Sequence, residues 1–581
     1  MLRFQPQLDR CPRCGAALKT RKTVERHPCT LHIGHFTAHE TVLGCGCLKE
    51  TTTFRSGELA GLVAPGCTFG FDVMVHAGEA ALRRNLTADD TVAELARMNV
   101  TISAGEVREL VARFAVSLGI AHAEAAPRLR AHMGQAGGYV LHLDSTCKGS
   151  STHLMTGLDE LSGFVLLNAK IPSESEPEVS AFLRTVVQRF GVPLAVSCDM
   201  SKGILAAVAT VLSESTPVFI CHFHFLRDLG KDLLAEPYAM VRERLRHHGP
   251  KAELRRMQRG LREVVQTHSR QLGQLIRAAM APDGKQGPVP PLPHDVLLGA
   301  LVTSLLDSQH QGGGYGFPFD RPHLQFFRQA QIVLTAARSI LRSVMMEPSH
   351  RKLFTLLTAT LEPLCSDSGL AQAAEDIECR AREFDRLRAA LRLAEADTRQ
   401  GLNDDGAEVP MAVLRDRVEC YCQSIRNNAA LMDRKEFKAM LEQIDRHHDR
   451  LFAEPIRVKT PNGPRTIQPQ RTNNILERFF RRIGSQVRKR TGQQPGEAFL
   501  DRLLPDFPLV ANLDKPRYLD LLLDGCASLP ERLSQLDQGT VNSTLARLRS
   551  PSTGITRPIR VRLREAAAPL RIVLFILRAV A

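Results

Sequence analysis

The chain lacks tryptophan, a long hydrophobic run and the cysteine pattern of a disulfide framework. No stretch of about 18 uncharged apolar residues occurs, so we expect no transmembrane helix. The first residues lack the apolar core of a signal peptide. Most of the 14 cysteines stand singly in apolar segments, which is typical of reduced thiols and not of a disulfide framework. These absences predict a protein of the cytoplasm; the missing tryptophan is compositional bias without functional meaning.

What is present is a large, basic and globular chain. It has 581 residues, 43% of them hydrophobic, and a net charge of +14. That length is enough for several domains with a sizeable core. The positive charge suits a polyanionic partner, but charge alone does not separate DNA from RNA or anionic lipid.

Short apolar segments alternate with helical patterns between about residues 137 and 235. This alternation is typical of an α/β layer. The predicted strands are Tyr139–Leu143, His153–Leu158, Phe164–Ala169, Leu194–Cys198 and Val218–Cys221, and the predicted helices are Pro177–Phe190 and Lys202–Glu214.

The remaining chain is mostly helical in pattern. Helical periodicity covers residues 75–130 and, rich in arginine, residues 236–450. Glycine and proline predict loops at 281–291, 312–318 and 400–410, and a turn-rich segment at Lys459–Pro469. Residues 550–558 look like a linker to a terminal amphipathic helix, Ala568–Ala581.

Three carboxylates carry most of the functional information. Asp144 and Asp199 each close an apolar run, and Glu477 lies on a basic amphipathic helix. Acids at the ends of adjacent strands would place carboxylates within reach of shared divalent cations, which prefer oxygen ligands. Each aspartate also has a structural interpretation, because Asp199 could cap the following helix and Asp144 could cap a turn before Ser145.

The order strand, strand, strand, helix, strand, helix, strand resembles the ribonuclease H-like fold of DDE transposases and retroviral integrases. Asp144 and Asp199 fall on that family's first strand and just after its fourth strand. The third acid of the family often lies within Asn-Asn-x-x-Glu, which here is Asn473 to Glu477.

The resemblance implies an α/β ribonuclease H-like core, with a mixed five-stranded sheet and flanking helices, interrupted by a large all-α insertion. It further implies that Asp144, Asp199 and Glu477 are catalytic and hold two Mg²⁺ (or Mn²⁺) ions for DNA strand cleavage and strand transfer.

A second likeness follows the fifth predicted strand. Cys221 and His224 look like the Cys-x-x-His signature of Mutator-like and hAT-like transposases. Two ligands are too few for structural zinc, so we expect a supporting role that orders the site. The alternative is a buried cysteine with a histidine at a strand-to-helix turn.

The helix of Glu477 is strongly cationic. Beside a metal site such cations suit the phosphates of DNA, whereas elsewhere they would form a solvated face. The predicted DNA-binding residues here are Arg478, Arg481, Arg482, Arg488, Lys489 and Arg490.

The amino terminus predicts a zinc-binding module. Cys11 and Cys14 form a zinc-knuckle pair, and Cys45 with Cys47 would complete four thiolates around one Zn²⁺. Nearby side chains that could substitute as ligands are Cys29, His27, His32, His35 and His39. The alternative is a small reduced domain with incidental cysteines. Many bacterial transposases are similar here, with a zinc ribbon ahead of a helical DNA-binding segment.

Residues Thr91 to Phe114 read as helix, turn, helix, with Ser103 and Glu106 forming a capping box. A helix-turn-helix would place its second helix in the major groove. Only Arg108 and Arg113 are basic on that helix, so a simple packing pair is nearly as well supported.

These predictions combine into a bacterial DNA transposase of the nucleoid, which binds transposon ends and target as a homodimer or higher oligomer, without a membrane. The alternatives are a transposase-derived DNA-binding regulator and a ribonuclease H-like nuclease. The predicted domains are a zinc ribbon (1–55), a helix-turn-helix domain (56–135), the catalytic core in two parts (136–235 and 456–510), the insertion (236–455) and a helical tail (511–581).

Overall fold

The computed structural model describes residues 1–47, 52–149, 151–279, 292–310, 312–343, 345–393, 409–492 and 496–549. They form two compact units: Met1–Cys221 together with Ala453–Ala581, and His222–Phe452. No helix in these ranges is long and apolar enough to cross a bilayer. The predicted linker and terminal helix beyond residue 549 and the predicted loop at 281–291 lie outside the described residues, as does most of the loop at 400–410.

The first unit opens with a small β module. A four-stranded sheet is built around β5, which pairs in parallel with β1 and antiparallel with β2 and β6. A two-stranded ribbon joins β3 to β4. The strands are β1 (Leu2–Phe4), β2 (Lys19–Arg26), β3 (Cys29–Thr30), β4 (Gly34–His35), β5 (Ala38–Cys45) and β6 (Thr52–Phe54).

Five helices follow: α1 (Gly57–Leu62), α2 (Phe71–Leu82), α3 (Ala88–Arg97), α4 (Ala104–Glu124) and α5 (Ala126–Gln135). The capping box of Ser103 and Glu106 at the start of α4 is confirmed. From Phe114 to His122 most of α4 is buried. That part of α4 is therefore a core helix, and only its first turns face solvent.

A mixed five-stranded sheet forms the centre of the first unit. Its strands are β7 (Val140–Thr146), β8 (His153–Asp159), β9 (Val165–Ile171), β10 (Ala195–Cys198) and β11 (Val218–Ile220), with α6 (Glu176–Phe190) and α7 (Lys202–Val211) between them. The sheet order is β11-β10-β7-β8-β9. β10 is parallel to β7 and β11, whereas β8 is antiparallel to β7 and β9.

All five predicted strands of this sheet are present, with ends within three residues of the prediction. They were recognisable because strands buried on both faces are nearly continuous apolar runs. The antiparallel pairing of β8 leaves β7, β9 and β10 running in one direction. Their carboxyl ends therefore lie at the same edge of the sheet.

The second unit is helical throughout its described residues. Its helices are α8 (His222–His248), α9 (Pro250–Thr267), α10 (Ser269–Ala279), α11 (His294–Asp307), α12 (Pro322–Ser343), α13 (Pro348–Cys365), α14 (Ser368–Ala390), α15 (Met411–Arg426), α16 (Ala429–Met432) and α17 (Lys435–Leu451), with a 3₁₀ turn at Ser308–His310. Its core contains fully buried phenylalanines, among them Phe326, Phe354 and Phe384. This helical unit covers His222–Phe452, and the predicted helical insertion covered residues 236–455.

The chain returns to the first unit through a hairpin, β12 (Ile456–Thr460) and β13 (Gly463–Ile467). The sequence predicted only turns here, because two prolines obscured the Asn-Gly hairpin signal. The remaining elements are α18 (Asn474–Thr491), α19 (Glu497–Arg502), a 3₁₀ segment (Phe507–Asp514), α20 (Pro516–Leu523), α21 (Leu529–Ser534) and α22 (Gln538–Arg549).

Residues of the segment 507–549 are part of the core, and the predicted helical tail covered residues 511–581. Asn512 bonds both backbone groups of Val165, at 2.9 and 2.8 Å, and so covers the edge strand β9. Buried His122 on α4 bonds the Tyr518 hydroxyl and the Leu166 carbonyl oxygen, both at 2.8 Å. Burial lowers the pKa of His122 to about 4, so the ring is neutral.

Asp506 provides a test of this core. Burial against α4 raises the pKa of its carboxyl from 3.8 to about 6. The folded state therefore binds more protons than the unfolded state in this window, and stability is lost as pH rises through it. We expect Asp506→Asn to gain stability over the wild type by roughly 3 kcal/mol as pH rises from about 4 to 7, measured by urea unfolding. A stability difference between Asp506→Asn and the wild type that does not change with pH would contradict the burial of Asp506.

Candidate functional site

Asp144 and Asp199 lie at neighbouring strand ends. Leu143 of β7 is in register with Cys198 of β10, and each aspartate is the next residue along its strand. Neighbouring strands are about 4.8 Å apart, so the two backbones deliver their carboxyl groups to one place. Both aspartates also make the local bonds of the structural alternative, since Asp144 accepts the Ser145 N–H at 2.8 Å and Asp199 accepts the Ser201 N–H at 3.0 Å.

Glu477 reaches the same edge from α18. The residue before this helix, Asn473, is fully buried and donates its side-chain amide to the carbonyl oxygen of Leu143 at 3.0 Å. Glu477 follows one turn later, and its N–H bonds the Asn473 carbonyl oxygen at 3.1 Å. The amide therefore fastens the start of α18 to the residue that precedes Asp144.

Electrostatics place the three acids together. Burial raises the pKa of Asp144 well above its usual range, and the negative charge of Asp199 raises it further, followed by those of Glu477 and Glu174. Asp144 is only 8% exposed, whereas Asp199 and Glu477 are partly exposed. Such a group of carboxylates is unfavourable without a cation, and an oxygen-only donor set suits Mg²⁺ or Mn²⁺.

Glu174 is a fourth acid that the sequence did not predict. It follows β9, whose carboxyl end lies at the same edge as those of β7 and β10. Ser145 donates its hydroxyl to Glu174 at 2.5 Å. His153, Ser145 and Ser201, in that order of importance, lower the pKa of Glu174. The Nδ1 atom of His153 lies 3.8 Å from the Glu174 carboxylate and is hydrogen-bonded to Ser145 Oγ at 3.0 Å. Glu174 thus links the residues that follow both aspartates.

Gly203 allows this linkage. A Cβ atom on Gly203 would lie 1.7 Å from the carbonyl oxygen of Glu174, so no larger residue fits without a shift of the backbone. The first turn of α7, which follows Asp199, can therefore approach the loop of Glu174 closely. The sequence shows only an acid in the loop after the third strand. The sheet order places that loop at the same edge as the two aspartates.

A buried polar network stands behind the acids. His142 Nδ1 bonds the side-chain oxygen of Asn473 at 2.7 Å, and His142 Nε2 faces Glu160 at 2.9 Å. Glu160 in turn accepts the N–H of Gln470, at 3.1 Å to each carboxylate oxygen. His142, Glu160 and Asn473 were not among the predicted site residues, since a buried histidine in a strand has no distinct sequence signal.

Cys221 joins this network. Its Sγ accepts the N–H of Asn473 at 3.2 Å, at the end of the strand that precedes the second unit. This contact is consistent with the predicted ordering role for Cys221. His224 lies in the first turn of α8, in the second unit, and is 6% exposed.

The cations of α18 have different surroundings. Arg478, Arg481, Arg488 and Lys489 are exposed. Arg482 forms an ion pair with Asp514 and is therefore occupied within the chain. The side chain of Arg490 lies outside the described residues.

The predicted helix-turn-helix corresponds to α3 and α4. Arg113 donates to Asn542 and Gln538 of α22, at 2.9 Å each, so it is held in a packing contact. Arg108 is exposed, but Glu106 and Glu109 lie beside it on the same turns. These contacts favour the alternative of a packing helical pair over a recognition helix.

The four predicted cysteines of the amino terminus form one cluster. The sulfur atoms of Cys11, Cys14, Cys45 and Cys47 all lie within 4.8 Å of one another. Cys11 is 3.9 Å from Cys47, and Cys14 is 3.4 Å from Cys45. Four thiolates around Zn²⁺ at about 2.3 Å would be roughly 3.8 Å apart, so this cluster can bind a metal such as zinc.

The thiols of the cluster differ in pKa: neighbouring cysteine side chains raise the pKa of Cys45 and of Cys47, whereas that of Cys11 is lowered. N–H groups of Arg13 and Cys14 lower the pKa of the Cys11 thiol to about 7. The alternative ligand Cys29 is fully buried in β3, and neither it nor the four nearby histidines belongs to the cluster.

Metal content tests the cluster. We expect about one zinc per chain by elemental mass spectrometry, and its loss in Cys14→Ala and in Cys45→Ala, since structural zinc needs all four ligands. Cys420→Ala, which changes an exposed cysteine outside the cluster, should keep the zinc. Full zinc content in the Cys14 variant would contradict the ligand set.

Asn473 offers a test of the buried network. Asn473→Leu keeps the volume but leaves the Leu143 carbonyl and a His142 nitrogen without their partner. We expect it to lower the free energy of unfolding by about 2–3 kcal/mol, measured by urea unfolding. Asn474→Leu is the matched control, because no hydrogen bond between the Asn474 side chain and β7 occurs among the described residues. Equal losses in both variants would refute the specific role of Asn473.

Comparison of the sequence with protein families and with curated proteins finds no match. The function is therefore argued from the geometry of the site.

Proposed function

We propose that this chain is a DNA transposase that cleaves and joins DNA strands with Asp144, Asp199 and Glu477 as metal-holding catalytic residues. The observation that carries the proposal is the meeting of these acids at one edge of the sheet. They come from positions far apart in the sequence. The charges of Asp199 and Glu477 raise the pKa of the buried Asp144. A structural cap or a solvated acid gives no reason for such convergence.

The sheet supports the ribonuclease H-like interpretation. Along the chain, the first three strands are joined antiparallel, the fourth adds in parallel beside the first, and the fifth adds in parallel beside the fourth. The first acid lies on the first strand and the second just after the fourth, as the resemblance implies. The all-helical unit lies between the fifth strand and the helix of Glu477, where the insertion was expected.

The donor set fits a pair of hard cations. Asp144, Asp199 and Glu477 would hold two Mg²⁺ or Mn²⁺ ions. When bound, such ions activate a water or 3′-hydroxyl nucleophile and stabilise the leaving oxygen of an in-line displacement. Glu174 holds the residues beside the two aspartates through Ser145 and Ser201, and Asn473 holds the helix of Glu477. The chain thereby orients its carboxylates before any substrate arrives.

The remaining features suit a DNA substrate. Exposed arginines on α18 follow Glu477, where they can contact phosphates on either side of the cleaved bond. The amino-terminal module, with zinc in its cysteine cluster, would recognise transposon ends. Paired ends require a homodimer or a higher oligomer, and a bacterial nucleoid is the expected location.

Strand cleavage tests the proposal. The substrate is duplex DNA covering the sequences on both sides of the gene for this chain, and nicking is followed on denaturing gels with Mg²⁺ or Mn²⁺. Asp144→Asn should reduce nicking by more than about 100-fold, because it removes the charge of a residue that would hold the proposed metal ions. Binding of the same DNA should be almost unchanged. Asp520→Asn, at an exposed position of α20, is the matched control and should retain activity.

Other outcomes separate the alternatives. Binding without metal-dependent nicking in the wild type would indicate a transposase-derived regulator. Faster cleavage of RNA–DNA hybrids than of duplex DNA would indicate a ribonuclease H-like nuclease. Nicking that persists in Asp144→Asn would show that the catalytic site is assigned wrongly.

A further inference from the structure

A cleft of about 410 Å³ opens beside the acidic site. Its walls come from the loop after β7, from α18 and from α19, and they include Lys148, Phe480, Arg481, Arg488 and Phe499. This volume lies within the range of pockets that bind small molecules and cofactors. Nothing in the catalytic arrangement described above uses it.

The cleft lies next to the acids along α18 and β7. Residues three, four and eleven positions along a helix lie on the same face, so Phe480, Arg481 and Arg488 follow Glu477 along one side of α18. On the opposite wall, Thr146 is two residues beyond Asp144. A strand held at the carboxylates therefore has the cleft directly beside it.

The lining combines an aromatic platform with positive charge. Phe480 and Phe499 are half-buried and packed on the core, with Leu154 and Ile483 next to them. Lys148, Arg481 and Arg488 are exposed at the rim. Among the described residues none of these three cations forms an ion pair. Apolar rings under unneutralised cations match a ligand with a flat aromatic face and an anionic group.

We propose that this cleft binds one unpaired nucleotide of the DNA strand, with its base against Phe480 and Phe499 and its phosphate beside Lys148, Arg481 and Arg488. This rests on the proposed function for the identity of the strand. A paired base cannot stack there, because both of its faces are covered within the duplex. The cleft thus selects DNA whose strand is already open next to the bond that reacts.

Binding measurements test the cleft apart from the chemistry. Two probes are compared by fluorescence titration, without Mg²⁺ and in the Asp144→Asn background. One is a short duplex with a single unpaired 3′ 2-aminopurine nucleotide, and the other is a longer duplex in which that nucleotide is paired and followed by further base pairs. We expect the unpaired probe to bind about tenfold more tightly, as base–aromatic stacking predicts.

Substitutions assign the effect to the rings. Phe480→Leu and Phe499→Leu keep the apolar volume but lack the ring, and should bind both probes with the affinity of the paired one. Phe480→Tyr should retain the tenfold preference. Unchanged affinity for the paired probe shows that each variant is folded. Equal binding of both probes by the parent protein, or a preference that survives both leucine substitutions, would overturn the proposal.

The two proposals fail differently. A preference for the unpaired nucleotide together with no metal-dependent nicking would overturn the transposase assignment and leave the nucleotide cleft. Nicking that depends on Asp144, without any preference between the probes, would overturn the cleft alone.

Discussion

The buried amide of Asn473 is the contact on which the acidic site depends. The chain leaves the first unit after Cys221 and returns at Ala453, so Glu477 has no local reason to lie near Asp144. Asn473 supplies that reason. Its side-chain amide bonds the carbonyl oxygen of Leu143 and a nitrogen of His142, and its backbone N–H bonds the sulfur of Cys221. Each of these groups is buried, and a shift of the helix would break its bond to Asn473.

The acids of this site repel one another electrostatically. Burial and the charges of three other carboxylates hold the pKa of Asp144 well above its usual range. Repulsion of this kind persists only when the surrounding structure holds the carboxylates in place. Three features hold them here: the interactions of Glu174 with serine and histidine side chains, the close approach at Gly203, and the Asn473 network. These contacts orient the carboxylates within the fold.

Sequence patterns predicted the central sheet well and its surroundings less well. The five strands and the two helices between them were recognised from apolar runs and helical periodicity. The hairpin of β12 and β13 was missed because prolines masked its signal, and strand β2 of the amino terminus carries mostly exposed residues without an apolar pattern. The packing of residues 507–549 into the core was also missed. Asn512 and Tyr518 make contacts whose partners are hundreds of residues away.

The sequence by itself determined which side chains could serve as ligands, since thiolates and carboxylates carry their chemistry wherever they lie. It also determined the local elements that bear them, because capping and apolar periodicity act over a few residues. The sequence also predicted the four cysteines that form one cluster. Only the tertiary structure decided that Glu174 joins the predicted acids and that a cleft with aromatic walls adjoins them. Strand order, register and buried hydrogen bonds are set by contacts between distant segments, and no local pattern contains them.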